Sequence, residues 1–240
     1  MEITARQQQI LEYLKPLHFA SIAEIADCVY TSQATVRRDV QTLQEKGFVK
    51  SVYGGVVISE YANEAVPVSL RDGTNSARKE QIAAEAARLI PDNCTVIFDS
   101  SSTVRRICRH IRNRSNLTVI TSNLRVCQEL KGSDIRVYCT GGSLLSRREC
   151  FAGHFAEEFM RSIKADMLFF SCQGLAENGD ISDSSEEEIA LRKIMLENAK
   201  QRIFLCDSTK LGAVFPFTLC NTRDITKVIS DADISAFLQG

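Results

Sequence analysis

The sequence of 240 residues predicts an α/β protein with two domains, a small helical one followed by a larger one built on a parallel sheet. Up to about residue 58, three helical patterns are followed by two strands around a glycine turn. From residue 79 onward, short β-branched runs alternate with longer helical patterns, which is typical of a parallel sheet with helices on both faces. We therefore expect domains at 1–58 and 79–240, joined by a linker at 59–78.

The composition excludes several classes of protein. Hydrophobic residues make up 44% of the chain, which is enough for a core and excludes an intrinsically disordered protein. The net charge of −1 means that any attraction to nucleic acid has to come from locally placed basic groups. Apolar runs such as 167–170 are far shorter than the roughly 20 residues of a membrane helix, and the first residues do not resemble a signal peptide. We expect a cytoplasmic protein that does not enter a membrane.

The nine cysteines indicate reduced thiols. Their number is odd, no two form a Cys-x-x-Cys pair, and none lies near a histidine in a metal-ligand pattern. Most stand inside apolar stretches, as core thiols of cytoplasmic proteins do. The sequence therefore predicts neither disulfides nor a metal site, and no cofactor is expected.

The first domain has the order of a winged helix-turn-helix. Ile10 and Leu14 belong to the first helical pattern, and Ser21 can begin the second with a capping box that Glu24 completes. A third helix runs from a cap at Ser32 to about residue 46, with Ala34, Val36, Val40 and Leu43 expected in the core. A glycine then ends the helix, and residues 48–58 form two strands. Three helices and a hairpin are the pattern of this motif.

The third helix and the hairpin carry the groups that DNA recognition needs. Residues 31–56 have a net charge of +2, although the chain as a whole is almost neutral. Short polar groups at a helix start can enter the major groove, and arginines reach guanine edges or phosphates. The expected contacts with double-stranded DNA are Ser32, Gln33, Thr35, Arg37, Arg38, Lys50, Gly54 and Gly55. The alternative is a three-helix interaction module whose arginine pair is merely solvated.

In the second domain, five polar loops directly follow predicted strands, at 99–103, 121–124, 140–142, 171–175 and 207–212. We expect strands at 95–98, 117–121, 135–139, 166–171, 203–206 and 226–229, and helices at 79–90, 102–113, 123–131, 151–163 and 185–199. Parallel sheets bind ligands at the carboxyl ends of their strands. Each loop alone would more often be a simple turn, but five together predict a site.

The loop at 99–103 has the composition of a phosphate cradle, because hydroxyls and free N–H groups stand at the start of the predicted helix 102–113. Lys210 is the best candidate for a charge-assisted contact with a phosphate or sugar oxygen. Glu188 and Arg192 lie four residues apart on one helix face, where a surface ion pair and a contact with ligand hydroxyls are both open. The full expected ligand set is Asp99, Ser100, Ser101, Ser102, Thr103, Asn123, Gly141, Gly142, Gly174, Glu188, Arg192, Asp207 and Lys210.

The run from Ser32 to Val40, with Leu43, residues 45–47 and the Tyr-Gly-Gly-Val of residues 53–56, resembles the N-terminal signature of DeoR-family transcriptional regulators. Thr31 and Lys50 depart from that signature, but neither change removes a charge needed for a phosphate contact. The resemblance extends over nearly the whole chain, and Ser101, Thr209, Leu211 and Arg192 differ from the family's usual residues in the loops and the late helix.

The resemblance implies a second domain similar in fold to ribose-5-phosphate isomerase and to the glucosamine-6-phosphate deaminases. It also implies a regulator, a repressor of carbohydrate metabolism genes, that binds operator DNA as a homo-oligomer and responds to a small phosphorylated sugar. The alternative is a sugar-phosphate isomerase or deaminase-like enzyme fused to a DNA-binding domain. Asp99 and Glu188 could supply the carboxylate base of such a reaction, but none of the five loops contains a histidine. We therefore expect a sensor without catalytic residues.

Overall fold

The computed structural model describes residues 3–17, 19–52, 54–58, 75–146 and 148–238. The chain divides into two compact units, Met1–Thr74 and Asn75–Gly240. Most of the expected linker, residues 59–74, lies outside the described residues, so its bounds stay a prediction. The first helix of the second unit begins at Ser76, inside the stretch expected to be linker. No helix in the described ranges is long and apolar enough to cross a membrane.

The first unit consists of three helices and a small sheet, as the sequence predicts. The helices are α1 (Ala5–Leu17), α2 (Ile22–Cys28) and α3 (Gln33–Glu45). The sheet has the order β1 (Phe19–Ala20), β3 (Gly55–Ile58) and β2 (Val49–Val52), with antiparallel pairing. The predicted capping box is present, because the Ser21 side chain accepts from the Glu24 N–H while the Glu24 carboxylate accepts from the Ser21 N–H.

The core of this unit lies between the helices and the hairpin. Its largest fully buried side chains are Ile10, Leu14, Ile25 and Leu43. The expectation for Ala34 is wrong, because this residue is exposed on α3. It lies in the first turn of the helix, on the side away from the stripe that the other three apolar residues form.

The second unit is built on a six-stranded sheet in which every neighbouring pair of strands is parallel. Its strands are β4 (Thr95–Phe98), β5 (Thr118–Thr121), β6 (Arg136–Cys139), β9 (Ala165–Phe170), β12 (Ala199–Cys206) and β14 (Lys227–Ser230), in the order β14-β12-β9-β4-β5-β6. The predicted α/β class, with a winged helix-turn-helix before a parallel sheet, is confirmed.

Helices cover both faces of this sheet. They are α4 (Ser76–Arg88), α5 (Ser102–Arg105), α6 (Cys108–Ile111), α7 (Leu124–Leu130), α8 (His154–Arg161) and α9 (Glu186–Glu197). Because strand side chains alternate between faces, Val96 and Phe98 enter one core with Ile82, whereas Ile97 enters the opposite core with Ile189. The sheet is therefore buried on both sides, which explains its nearly continuous apolar strands.

Three details differ from the expectation. The single helix predicted at 102–113 is two short helices, α5 and α6. The helix predicted from 151 begins at His154, because residues before it form a hairpin of β7 (Ser143–Leu145) and β8 (Cys150–Ala152). A second sheet, β10 (Gly174–Leu175), β11 (Asp180–Asp183) and β13 (Phe217–Asn221), was not predicted. Strands of two to five residues give too little periodicity to be recognised.

Candidate DNA-binding helix and effector site

The start of α3 presents polar and basic groups to solvent. The Ser32 hydroxyl caps the helix by accepting from the Thr35 N–H at 3.2 Å. Gln33, Arg37 and Arg38 are exposed, and neither arginine forms an ion pair with another described residue. This surface can contact phosphates or base edges without first breaking an internal salt bridge.

A buried carboxylate holds α3 against α1. The two oxygens of Asp39 accept from Arg6 at 2.5 and 3.3 Å, and the Gln7 side-chain amide donates to Asp39 at 3.3 Å. The hydrogen bond with Asp39, together with the negative charge of that carboxylate, raises the pKa of Arg6. Asp39 therefore orients the helix that bears the two exposed arginines, and it does so through an arginine of another helix.

The hairpin glycines have different structural reasons. Gly54 has φ +86°, a backbone conformation that favours glycine in the turn. A Cβ atom on Gly55 would lie 2.3 Å from the carbonyl oxygen of Ala20, so any larger residue would push β1 away. Lys50 is exposed on β2. The roles of these residues in DNA binding stay predictions.

In the second unit, the five predicted loops meet at the carboxyl edge of the sheet. The strand order reverses between β4 and β9, and ligands of open parallel sheets bind at such a switch point. Hydrogen bonds join the loops there. Ser171 N–H donates to Asp99 at 3.1 Å, the Asn123 amide donates to the Ser100 carbonyl at 3.0 Å, and Thr140 N–H donates to the Thr121 carbonyl at 3.0 Å.

Arg192 lies at the centre of a buried charge network under these loops. Its guanidinium donates to Asp99 and Asp183, both at 2.9 Å, and to Glu188 at 3.2 Å. Ser100 contributes its hydroxyl, which accepts from Arg192 at 3.2 Å and donates to Glu188. Only 3% of the Arg192 side chain is exposed. The surface-pair interpretation of Glu188 and Arg192 is therefore wrong: they form a buried pair.

The sequence analysis missed two members of this network. Arg148, from the turn between β7 and β8, donates to the second oxygen of Glu188. Asp183 ends β11, in the sheet that was not predicted. Neither has a local signal, because each becomes recognisable only through a partner that is distant in sequence. The network contains three carboxylates and two guanidinium groups, all buried.

A second cluster of charged groups surrounds Lys210. The Lys210 ammonium donates to the Ser171 hydroxyl at 2.5 Å and lies 3.6 Å from a carboxylate oxygen of Asp207. Burial by itself would raise the pKa of Asp207, but the charge of Lys210 and the hydrogen bond from Thr209 lower it below the ordinary value. The Lys210 side chain is 14% exposed, so its charge is partly open to a ligand.

Two more basic residues reach this cluster from the first turn of α4. Lys79 is buried, and its ammonium donates to the Ser102 hydroxyl at 3.4 Å. Arg78 donates to the Ser208 hydroxyl at 2.6 Å and forms an ion pair with Asp231 at 3.4 Å. The sequence analysis missed both, because only the fold brings the start of this helix beside the ligand loops.

The remaining predicted residues serve the protein's own structure. Ser101 caps α5, and Asn123 caps α7 by accepting from two backbone N–H groups. Thr103 is buried. A Cβ atom on Gly142 would lie 2.6 Å from the Ala152 carbonyl oxygen, and one on Gly174 would lie 2.3 Å from that of Ala213. Gly141 has φ +64° and open space around its Cα. Ligand contacts by these residues stay predictions.

Neither Asp99 nor Glu188, the two candidate bases of the enzyme alternative, is well placed to remove a proton from a substrate. Asp99 and Glu188 both accept from Arg192, and Asp99 also accepts from two backbone N–H groups. A general base has to be open to the substrate proton, whereas these oxygens are engaged with fixed donors. Their arrangement fits a framework that holds the loops.

Each of the two units matches a known protein family. Residues 6–61 match the model of the DeoR-like helix-turn-helix domain, and residues 74–232 match that of the DeoR C-terminal sensor domain. YulB of Bacillus subtilis (strain 168), described as an uncharacterized HTH-type transcriptional regulator, is 30% identical over 98% of this chain and 91% of that protein. The glycerol-3-phosphate regulon repressor of Escherichia coli (strain K12) is 26% identical over 97% of this chain and 92% of that protein.

Among solved structures, ribose-5-phosphate isomerase A of Methanocaldococcus jannaschii aligns with a TM-score of 0.43 and 18% identity, over 57% of this chain and 55% of that one. A likeness this low supports no conclusion about function. The regulators match both units in order, with a helix-turn-helix domain first and a sensor domain second. This favours the regulator over the enzyme alternative, and the chain belongs to the DeoR family of helix-turn-helix transcriptional regulators.

Proposed function

We propose that this regulator is a cytoplasmic repressor of carbohydrate metabolism genes that responds to a small phosphorylated sugar. The observation that carries the proposal is the cluster of Lys210, Lys79 and Arg78, whose charged groups donate to hydroxyls of three ligand loops, those of Ser171, Ser102 and Ser208. A dianionic phosphate requires full positive charges together with short donors, and this cluster has both. The related protein named as a repressor of the glycerol-3-phosphate regulon supports the same class of effector.

The phosphate contact depends more on these cations than on a helix dipole. The helix after the loop, α5, has only four residues, so its dipole is far weaker than that of the longer helix expected from the sequence. The carboxylate of Asp99 accepts from Arg192, from Ser171 N–H and from Ser101 N–H, so both of its oxygens are engaged within the protein. We infer that Asp99, Glu188 and Arg192 position the loops, while Lys210 contacts the phosphate.

For DNA, we propose that α3 lies in the major groove and that Lys50 and the hairpin glycines contact the backbone. A single recognition helix reads too few base pairs for specificity, so we propose that the protein binds as a symmetric homo-oligomer. The effector has to bind one state of the oligomer more tightly than the other, because equal affinity for both would leave DNA binding unchanged.

Lys210→Ala tests the effector site. We expect the variant to bind operator DNA like the wild type and to lose the response to the sugar phosphate, because a full charge next to the phosphate is removed. The measurement is a gel shift on DNA fragments selected by the wild-type protein, titrated with a panel of aldose and ketose phosphates and glycerol 3-phosphate.

Lys200→Ala is the matched control. Lys200 lies near the start of β12, at the opposite end of the strand that leads to Lys210, and its exposed ammonium pairs with Asp166 at 2.8 Å. This variant should respond like the wild type. If Lys210→Ala responds at the same effector concentration as the wild type, the phosphate site is misplaced.

A further inference from the structure

The turn between α2 and α3 holds an aromatic residue in a backbone conformation that favours glycine. Tyr30 has φ +50°, which lies in the left-handed region. Two backbone hydrogen bonds fix this conformation: Thr31 N–H donates to the Ala26 carbonyl at 3.0 Å, and Tyr30 N–H donates to the Asp27 carbonyl at 3.4 Å. They form a Schellman motif, in which the residue after the helix cap is left-handed and is usually glycine. A Cβ atom at this position destabilises the turn.

The Tyr30 side chain does not compensate for this cost by packing. It is 96% exposed, the highest exposure among the large hydrophobic side chains of the described residues. Its hydroxyl forms no hydrogen bond with another described residue. The ring and the hydroxyl therefore both remain available to a molecule outside the chain.

Other residues with positive φ show why Tyr30 is unusual. Of the five such residues other than glycine in the described ranges, three are asparagines, which tolerate the left-handed region. A fourth, Glu149, forms an ion pair with Arg125 at 2.5 Å. Tyr30 has neither a short polar side chain nor such a pair. A residue that strains the backbone and contacts nothing in the fold is expected to act on a partner.

The position of Tyr30 indicates which partner this is. Tyr30 precedes by two residues the hydroxyl of Ser32 that caps α3. In a helix-turn-helix the first residues of the second helix enter the major groove, so the turn before them lies beside the sugar-phosphate chain that borders the groove. A phenol O–H can donate to a phosphate oxygen, as tyrosines of DNA-binding proteins do.

We propose that the Tyr30 hydroxyl donates a hydrogen bond to a DNA phosphate and thereby positions the start of α3 in the groove. This role rests on the proposed function, in which α3 is the recognition helix. The contact carries no charge, because a phenol at neutral pH is not ionised. It therefore differs from the contacts proposed for the arginines of α3, which depend on salt.

Tyr30→Phe tests the hydroxyl alone, because it keeps the ring and the backbone strain. We expect the full-length variant to bind both the selected operator and an unrelated fragment of the same length about tenfold more weakly, since a hydrogen bond to a charged group is lost. The two losses should be equal, because a phosphate carries no sequence information. The slope of log affinity against log salt concentration should match the wild type, because no cation is removed. Fluorescence anisotropy measures all three quantities.

Tyr30→Gly separates DNA binding from folding. Glycine fits the left-handed position, so amide hydrogens of α2 should exchange more slowly, while DNA binding should still be weakened. Hydrogen exchange followed by mass spectrometry of α2 peptides measures the first effect. Faster exchange together with weaker binding would mean that Tyr30 supports the fold, which would overturn the proposal.

Tyr138→Phe is the matched control. Tyr138 is an exposed tyrosine on β6 of the other unit, and its variant should bind DNA like the wild type.

Three further results would overturn the proposal. Equal affinities of Tyr30→Phe and the wild type would exclude the contact, and a loss confined to the operator would indicate a base contact instead of a phosphate contact. A change in the mass of the DNA-free protein by light scattering would place Tyr30 between copies of the chain. A wild-type protein that selects no DNA fragment would contradict the proposed function itself.

Discussion

Two pairs of arginines, one pair in each unit, lie in opposite environments. On α3, Arg37 and Arg38 are exposed and form no ion pair with another described residue. In the sensor unit, Arg192 and Arg148 have side chains that are only 3% and 8% exposed, and both donate to carboxylates. An exposed guanidinium keeps its donors for a partner molecule, whereas a buried one has to satisfy them inside the fold.

The exposed arginines are available to bind another molecule, whereas the buried arginines stabilise the fold. Removing an exposed arginine of α3 should take away a proposed contact with DNA and leave the fold as it was. Removing a buried one leaves its carboxylate partners unpaired in an environment that water does not reach. Arginine-to-alanine substitution should therefore lower the stability of the second unit when the arginine is buried there, and should weaken DNA binding when the arginine is exposed on α3 of the first unit.

Arg192→Ala should give the largest effect. Three carboxylates, those of Asp99, Asp183 and Glu188, lose their shared partner. We expect the free energy of unfolding of the second unit to fall by about 3–5 kcal/mol, which is typical when one partner of a buried ion pair is removed. Urea denaturation followed by circular dichroism measures this. A loss below about 1 kcal/mol would mean that the network tolerates the missing charge.

Arg38→Ala should weaken DNA binding while the free energy of unfolding stays unchanged. If Arg38 contacts a base, we expect a loss of about 1–3 kcal/mol on the selected operator, measured by fluorescence anisotropy at fixed salt. Arg136→Ala, an exposed arginine on the edge strand of the other unit, is the control and should bind like the wild type. Equal affinities for Arg38→Ala and the wild type would remove this residue from the interface.

Substitutions at Ser32 distinguish a helix cap from a DNA contact. Ser32→Ala should lower the free energy of unfolding of the first unit by about 1 kcal/mol, and Ser32→Gly by only a few tenths, because glycine is tolerated at this position. A hydroxyl that also contacts DNA would make both variants lose operator affinity to the same extent. Paired unfolding and binding measurements separate the two roles.

The smallest expected effect is the contribution of Asp207 to the pH dependence of the free energy of unfolding. Because its pKa is lowered in the folded protein, the ionised carboxylate stabilises the fold above its ordinary pKa, and this contribution is lost as the pH falls below about 4. Asp207→Asn should therefore reduce the difference in unfolding free energy between pH 5 and pH 3. Asp134→Asn, at an exposed carboxylate, should leave that difference as in the wild type.

The sequence by itself determined the order of the domains, the recognition helix and the six parallel strands. These depend on local chemistry: the caps at Ser21 and Ser32, the helical spacing of apolar residues, and β-branched runs that have to be buried on both faces. The exposed arginines of α3 could be predicted for the same reason, because the phase of an amphipathic helix decides which side chains face solvent.

Only the tertiary structure decided what the sensor-unit charges contact. Arg192 and Asp99 are 93 residues apart in the chain, and the Lys79 ammonium reaches Ser102 from a helix that the sequence placed next to a linker. No periodicity encodes such partners, because they meet only when the strands have aligned and their carboxyl ends share one edge. Glu188 and Arg192 were recognised as neighbours from their helical spacing. Whether water or the buried carboxylates of Asp99 and Asp183 surround that pair depends on the packing of the whole sheet.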